Sequence, residues 1–267
     1  MIPIDMIKDF FPPNLYNNLE FRKLMLKEYV QCQILEFLSH SKYISKLSFI
    51  GGTSLRLIKQ IDRFSEDLDF ECTGISREEF RSMTDDVIRY LVNLGYRVEP
   101  KEREHDALVA FRRSLYFPQL LFSLHMSDYK NARFLIKIEM QDQKFPYRTV
   151  PAFVRHCGFY FPLPVPPDDI LCSMKISALL NRSKGRDFYD VLFLLSRSKP
   201  NYDYLADKHG IHNSKELQEA LAALLASTNL GVKQRDVQHL LFDPQKSHMI
   251  THFNSFINDF FAMDGSV

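Results

Sequence analysis

The stretch FIGGTSLRLIKQIDRFSEDLDFE at residues 49–71 holds the side chains best suited to chemistry. Within it, DLDFEC at 67–72 alternates polar and apolar residues, the pattern of a half-buried strand. Side chains alternate across a strand, so Asp67, Asp69 and Glu71 share one face while Leu68, Phe70 and Cys72 share the other. Carboxylates this close repel one another unless a cation or water intervenes. The interleaved apolar residues pack the opposite face, so the acids sit on rigid backbone. That suits a divalent cation: magnesium takes one or two carboxylates and completes its shell with waters and substrate phosphates. Two such ions can clamp the attacking and leaving oxygens of a phosphoryl centre.

The residues just before this strand fit the same chemistry. LSFIGG at 47–52 reads as a short strand ending in a glycine turn, and TSLRLIK as the start of a helix with Thr53 at or near its N-cap. Gly51 and Gly52 allow backbone to approach a ligand closely. A helix start offers unpaired N–H groups and a positive dipole end, where phosphate is favoured. Thr53 and Ser54 add hydroxyl donors, and Arg63 and Ser65 lie in the connection to the acidic strand. A strand-turn-helix corner followed by an exposed acidic strand would be unremarkable separately; their close succession is what points to chemistry.

A second group lies in PPDDILCSMKISALLNRSKGRDFYDVLFLL at 166–195. Lys175 and Arg182 are seven apart on one expected helix and share a face. Arg186 and Asp190 are four apart on the next, with Asp187 one step away. Between residues 175 and 199, Lys175, Arg182, Lys184, Arg186, Arg197 and Lys199 face only Asp187 and Asp190, which leaves a basic patch of the kind a nucleoside triphosphate needs. A solvated helix pair with surface ion pairs would read the same way.

The pattern GGT…RFSEDLDF resembles the signature of the nucleotidyltransferase superfamily, a Gly-Gly/Ser turn followed by Asp-x-Asp. More narrowly it is similar to the AbiEii/MenT family of toxin nucleotidyltransferases from bacterial AbiE-type toxin–antitoxin systems. The downstream Lys-x-x-Ala-Leu segment followed by Arg-Asp-x-x-Asp resembles that family's second motif. The resemblance covers residues 49–71 and 133–195. It implies a magnesium-dependent enzyme that binds a nucleoside triphosphate, with Asp67 and Asp69 on the metal. It also implies phosphates held by Gly51, Gly52, Thr53, Arg63, Ser65 and Lys175, and a supporting role for Asp187 or Asp190. It implies a third carboxylate on a neighbouring strand, for which RFLIKIEMQD at 133–142 offers Glu139, with Lys137 on its face and Asp142 as substitute. That acid would sit near a second metal and assist loss of the acceptor hydroxyl's proton. If the resemblance extends to substrate, the acceptor is the 3′ end of tRNA and a cognate antitoxin is the partner. Two alternatives stay open: transfer to a small molecule or a protein, and a catalytically inactive binding module.

These residues need a scaffold. Leu19 to about Ser41 has helical spacing, and ISREEF at 75–80 opens a helix with Ser76 and Glu79 as a capping box, running to about Leu94 and stopping at Gly95. YRVEPKE, ALVAFRR, QLLFSLHM and RFLIKIEMQ read as strands. FPLPVPPDD at 161–169 reads as an irregular connector, because its prolines cannot donate to a ladder. Helices follow at about 168–182, 186–197, 202–209, 214–227, 233–241 and 250–262, with Asp168 or Asp169 capping the first and Ser214 the fourth. The expected fold is α/β: a nucleotidyltransferase-like mixed sheet flanked by helices over residues 1–160, then a helical domain over 161–267 carrying the Lys and Arg-Asp-x-x-Asp motifs.

Composition narrows the rest. A chain of 267 residues with 45% apolar content can build a real core, and a net charge of +1 gives no global basic field. Cys32, Cys72, Cys157 and Cys172 form no CxxC pair and read as reduced apolar residues. The N-terminal MIPIDMIKDFFPPN lacks the pattern of a signal peptide, and no apolar run is long enough to cross a membrane, so a cytoplasmic protein with no membrane partner is expected. His105, His125 and His156 lack ligand spacing and read as surface or satisfied polar residues. GGTSLR lacks the lysine and spacing of a P-loop, and no GxSxG elbow is present.

Overall fold

The computed structural model describes residues 4–101 and 110–264. His105 and the first residues of the expected strand ALVAFRR lie outside them. The chain divides into two compact units. The first comprises residues up to Gln60, Phe64–Lys144 and Thr149–Val165; the second comprises Ile61–Arg63, Phe145–Arg148 and everything from Pro166 onward.

The first unit begins with two short helices, α1 (Ile4–Ile7) and α2 (Pro13–Tyr16), and the long α3 (Leu19–Ser39). Asn18 starts α3 by accepting a hydrogen bond from the Glu20 backbone N–H. Then come β1 (Leu47–Ile50), α4 (Gly51–Leu57), β2 (Asp67–Cys72), α5 (Arg77–Asn93), β3 (Glu99–Lys101), β4 (Phe111–Tyr116), α6 (Leu120–Ser123) and β5 (Leu135–Gln141). The five strands form one mixed sheet in the order β1-β2-β5-β4-β3. Only β2 and β5 run parallel; the other neighbours are antiparallel. Register follows hydrophobic pattern: Phe49 lies opposite Phe70 with ring centroids 5.5 Å apart, and Leu68, Ile136, Ile138 and Met140 are buried with them. Every second residue therefore faces the other way, and most of those on β2, β4 and β5 are polar. Arg113 faces the packed side, where it bonds Thr84 and Asp85 of α5. Ser76 caps α5 as expected, but the Glu79 carboxylate pairs with Lys46.

Two expected features change. QLLFSLHM is not a strand: Gln119 adopts φ +59° and Leu120–Ser123 forms one helical turn, burying the adjacent Leu120 and Leu121. Consecutive buried residues suit a turn of helix as well as a strand, so periodicity alone does not decide. The proline-rich stretch is not wholly irregular either. A two-stranded sheet pairs β6 (Val150–His156) with β7 (Phe159–Val165), which contains Pro162 and Pro164. The two prolines are two apart, so their missing N–H groups fall on the same edge, the one away from β6.

The second unit carries α7 (Asp168–Arg182), α8 (Gly185–Leu195), α9 (Tyr202–His209), α10 (Ser214–Ala226), α11 (Leu230–Val237) and α12 (Phe253–Asp264). Asp168 and Asp169 sit in the first turn of α7 while Pro167 takes the cap position, and Asn213, not Ser214, caps α10. Proline fits the cap because no N–H is needed there. No described helix is long and apolar enough to cross a membrane.

Candidate active site

β1 ends where α4 begins, and Gly51 makes the corner with φ +80°. A side chain is disfavoured at this φ, and space forbids one as well: a Cβ on Gly51 would lie 2.1 Å from Asp69 Oδ2. The register explains the contact, since Ile50 pairs with Asp69 across β1 and β2. Thr53 is the third residue of α4, not its cap. Its buried hydroxyl donates to the Asp67 backbone carbonyl at 2.5 Å, so it ties the corner to the acidic strand from inside. Ser54 Oγ is buried and has no hydrogen-bond partner among the described residues. Ser65 is also buried, and its carbonyl accepts from Gln31 Nε2.

The polar face of the sheet carries two rows of charge. Ile50, Asp69, Glu139 and Arg112 lie side by side across β1, β2, β5 and β4; Asp67, Lys137 and Ser114 form the next row. Asp69 and Glu139 are thus register neighbours. Lys137 Nζ lies 2.9 Å from Asp67 Oδ2 and 2.6 Å from Glu139 Oε1, and Arg112 Nε reaches the same Oε1 at 3.1 Å. Burial by itself would lower the Lys137 pKa, but its bonds to Glu139 and Asp67 raise it, so it is an ammonium. Glu71, at the far end of the strand, is buried. In the sequence Arg112 appears only within the expected strand ALVAFRR; its pairing with Glu139 needed the register.

Among the described residues no three His, Cys, Asp or Glu side chains gather into a metal cage. Magnesium does not require one, and the donors present are the oxygen ligands it prefers. Asp67 and Asp69, both partly exposed, therefore fit a divalent cation that completes its shell from solvent and phosphate.

Behind α4 lies a buried ionic cluster that the sequence reading missed. Glu28, in the middle of α3, receives both carboxylate contacts from Arg56 Nε at 3.1 Å. His156 Nε2 lies 2.6 Å from Glu28 Oε1, a charge contact rather than an aligned hydrogen bond. Burial would raise the Glu28 pKa, but Arg56 and His156 turn the shift downward. Burial would lower that of His156, but Cys157 and Glu28 raise it to about 9. The only hint in sequence was an acid inside an apolar helical run.

The second unit holds the remaining expected residues in two separate ion pairs. Asp190, fully buried, accepts Arg63 Nε and Nη2 at 2.7 Å each, and Lys175 Nζ at 2.9 Å. Burial would push its carboxyl up; the two cations hold it at about 2. Asp187 accepts from Arg182 and from the Lys184 backbone N–H, and so closes the start of α8. Arg63, expected near phosphate, has its guanidinium buried against Asp190.

The Asp69 carboxylate, pressed against a corner that excludes any side chain, suits the handling of a phosphoryl group. By class, the protein is a nucleotidyltransferase. The sequence profile of the family described as nucleotidyl transferase AbiEii toxin, type IV TA system, matches residues 33–265, and the chain belongs to that family. Among solved structures it is similar to MenT4, a nucleotidyltransferase toxin from Mycobacterium tuberculosis H37Rv, at 16% identity and a TM-score of 0.60, covering 97% of this chain and 90% of that one. It is also similar to JHP933 from Helicobacter pylori, at 16% identity and a TM-score of 0.57, covering 90% and 92%. At such identity the likeness is one of fold. No curated protein matches the chain in sequence.

Proposed function

We propose that this nucleotidyltransferase toxin uses magnesium to transfer a nucleotide from a nucleoside triphosphate to an acceptor hydroxyl, with the 3′ end of tRNA as acceptor. The observation that carries the chemistry is the approach of Gly51 to Asp69, which puts the glycine corner against the acidic strand. The acceptor rests on family likeness alone.

Gly51 and Gly52 present backbone to the phosphates, and Thr53 keeps that corner fixed on β2. Asp67 and Asp69 would hold the cation, with Glu139 beside them as third carboxylate. A bound divalent cation supplies charge neutralisation for the triphosphate and the entering oxygen. The acceptor hydroxyl's oxygen bonds to the α-phosphorus as the bond to the leaving oxygen breaks, its proton is released to solvent, and pyrophosphate departs. The protein's part is positioning and electrostatic preorganisation. Within the second unit, Lys175 is the candidate cation for a triphosphate, supported by Asp190. Membership of a type IV toxin–antitoxin family makes an antitoxin the expected partner.

The test is to give purified wild type and Asp69→Ala each labelled triphosphate with total tRNA, lysate protein or an aminoglycoside. Label on tRNA with wild type only is the expected result. Label on protein or drug instead would replace the acceptor, and no label anywhere would defeat the enzymatic reading.

A further inference from the structure

We propose that Lys137 is the built-in cation of the acidic face, filling the place between Asp67 and Glu139 so that the face takes one divalent cation and not two. The inference rests on the nucleotidyl-transfer reading above. Its basis is backbone register. Lys137 pairs with Asp67 across β2 and β5, and Glu139, two residues on, must share its face. The ammonium contacts one oxygen of each carboxylate, at 2.9 Å and 2.6 Å. Arg112 adds a second positive group on the same Glu139 oxygen at 3.1 Å.

The backbone position of Lys137 is fixed by register. A one-residue slip of β5 would turn Ile136 and Ile138, now fully buried, onto the polar face and Lys137 into the core. A second divalent ion between Asp67 and Glu139 would therefore meet a tethered ammonium and compete for oxygens already in ion pairs. The lysine pairs with those carboxylates without any bound ion, whereas an ion neutralises them only when bound. It acts as a positioning residue: it keeps Asp67 turned toward β5. Glu139 then completes the lysine's contacts and is not itself an ion ligand.

Counting manganese ions tests this on the full chain. Free manganese is followed by electron paramagnetic resonance in the presence of a saturating α,β-methylene triphosphate. Wild type and Lys137→Arg are expected to hold one ion per chain, and Lys137→Met two, because removing the ammonium opens the place between the carboxylates. Transfer by Lys137→Met is expected to fall on the order of 10²-fold while Lys137→Arg stays near wild type. Lys137→Gln is the second neutral variant should the methionine protein fail to fold by circular dichroism. A wild-type count other than one, or a count of one in the neutral variants, overturns the proposal. The functional reading fails separately: wild type that holds one ion yet labels no acceptor would remove the reaction and leave the lysine's place intact.

Discussion

Gly51 and Asp69 approach so closely that a Cβ on the glycine would overlap the carboxylate, at 2.1 Å from Oδ2. The corner and the acid thus constrain each other: the backbone reaches the acid because residue 51 has no side chain. Gly51→Ala must displace one of them, at φ +80° as well. Overpacking of this kind costs about 1–3 kcal/mol, and transfer should fall on the order of 10²-fold because a displacement near 1 Å upsets positioning. Gly74→Ala is the control: at φ +66° it carries backbone strain, but its Cβ would meet nothing within 4 Å among the described residues. Urea denaturation and transfer rates on both variants check this; equal loss of transfer in the two would remove the special role of the corner.

Asp190 should dominate acid stability of the second unit. Its carboxyl is held at about 2 against an ordinary 3.8, so the native state binds the proton later than the unfolded chain. The stabilisation is fully present above pH 3.8 and is lost as pH falls toward 2. Lys175→Met, which leaves the Arg63 pair in place, should flatten the dependence in that window. Asp190→Ala leaves two buried cations without their carboxylate and should lose roughly 3–5 kcal/mol. Chemical denaturation between pH 2 and 7 reads both.

Glu28 should matter as much within the first unit, though it is far in sequence from any recognisable motif. It compensates Arg56 on α4 and His156 on β6 from a fully buried position. Glu28→Gln should destabilise by roughly 3–5 kcal/mol. Glu28→Met with Arg56→Met, which removes the main charge pair together, should recover much of that. A double-mutant cycle measures the difference, and additive losses would show that the contact contributes little.

Glu139→Gln separates charge from shape. The amide keeps the strand and its size but gives up the ion pairs with Lys137 and Arg112. These groups are partly exposed, so stability should change by no more than about 1 kcal/mol. Transfer should fall at least about tenfold, read as kcat at saturating triphosphate, because the loss lies in arranging the acidic face. An unchanged kcat would place Glu139 outside the reaction.

The sequence by itself determined the acidic strand, the glycine corner and the start of α5, because each is written within a few residues: alternation in DLDFEC, paired glycines after an apolar run, serine ahead of α5. The tertiary structure decided which charges meet. Arg63 and Asp190 are 127 positions apart, Glu28 and Arg56 are 28 apart, and no periodicity links either pair. Lys137 joins Asp67 only because β2 and β5 run parallel in one register. The prolines of β7 were misread because their cost depends on which strand edge they occupy, a matter of pairing and not of composition. Short-range pattern fixes where a side chain points; burial and long-range pairing fix what it meets there.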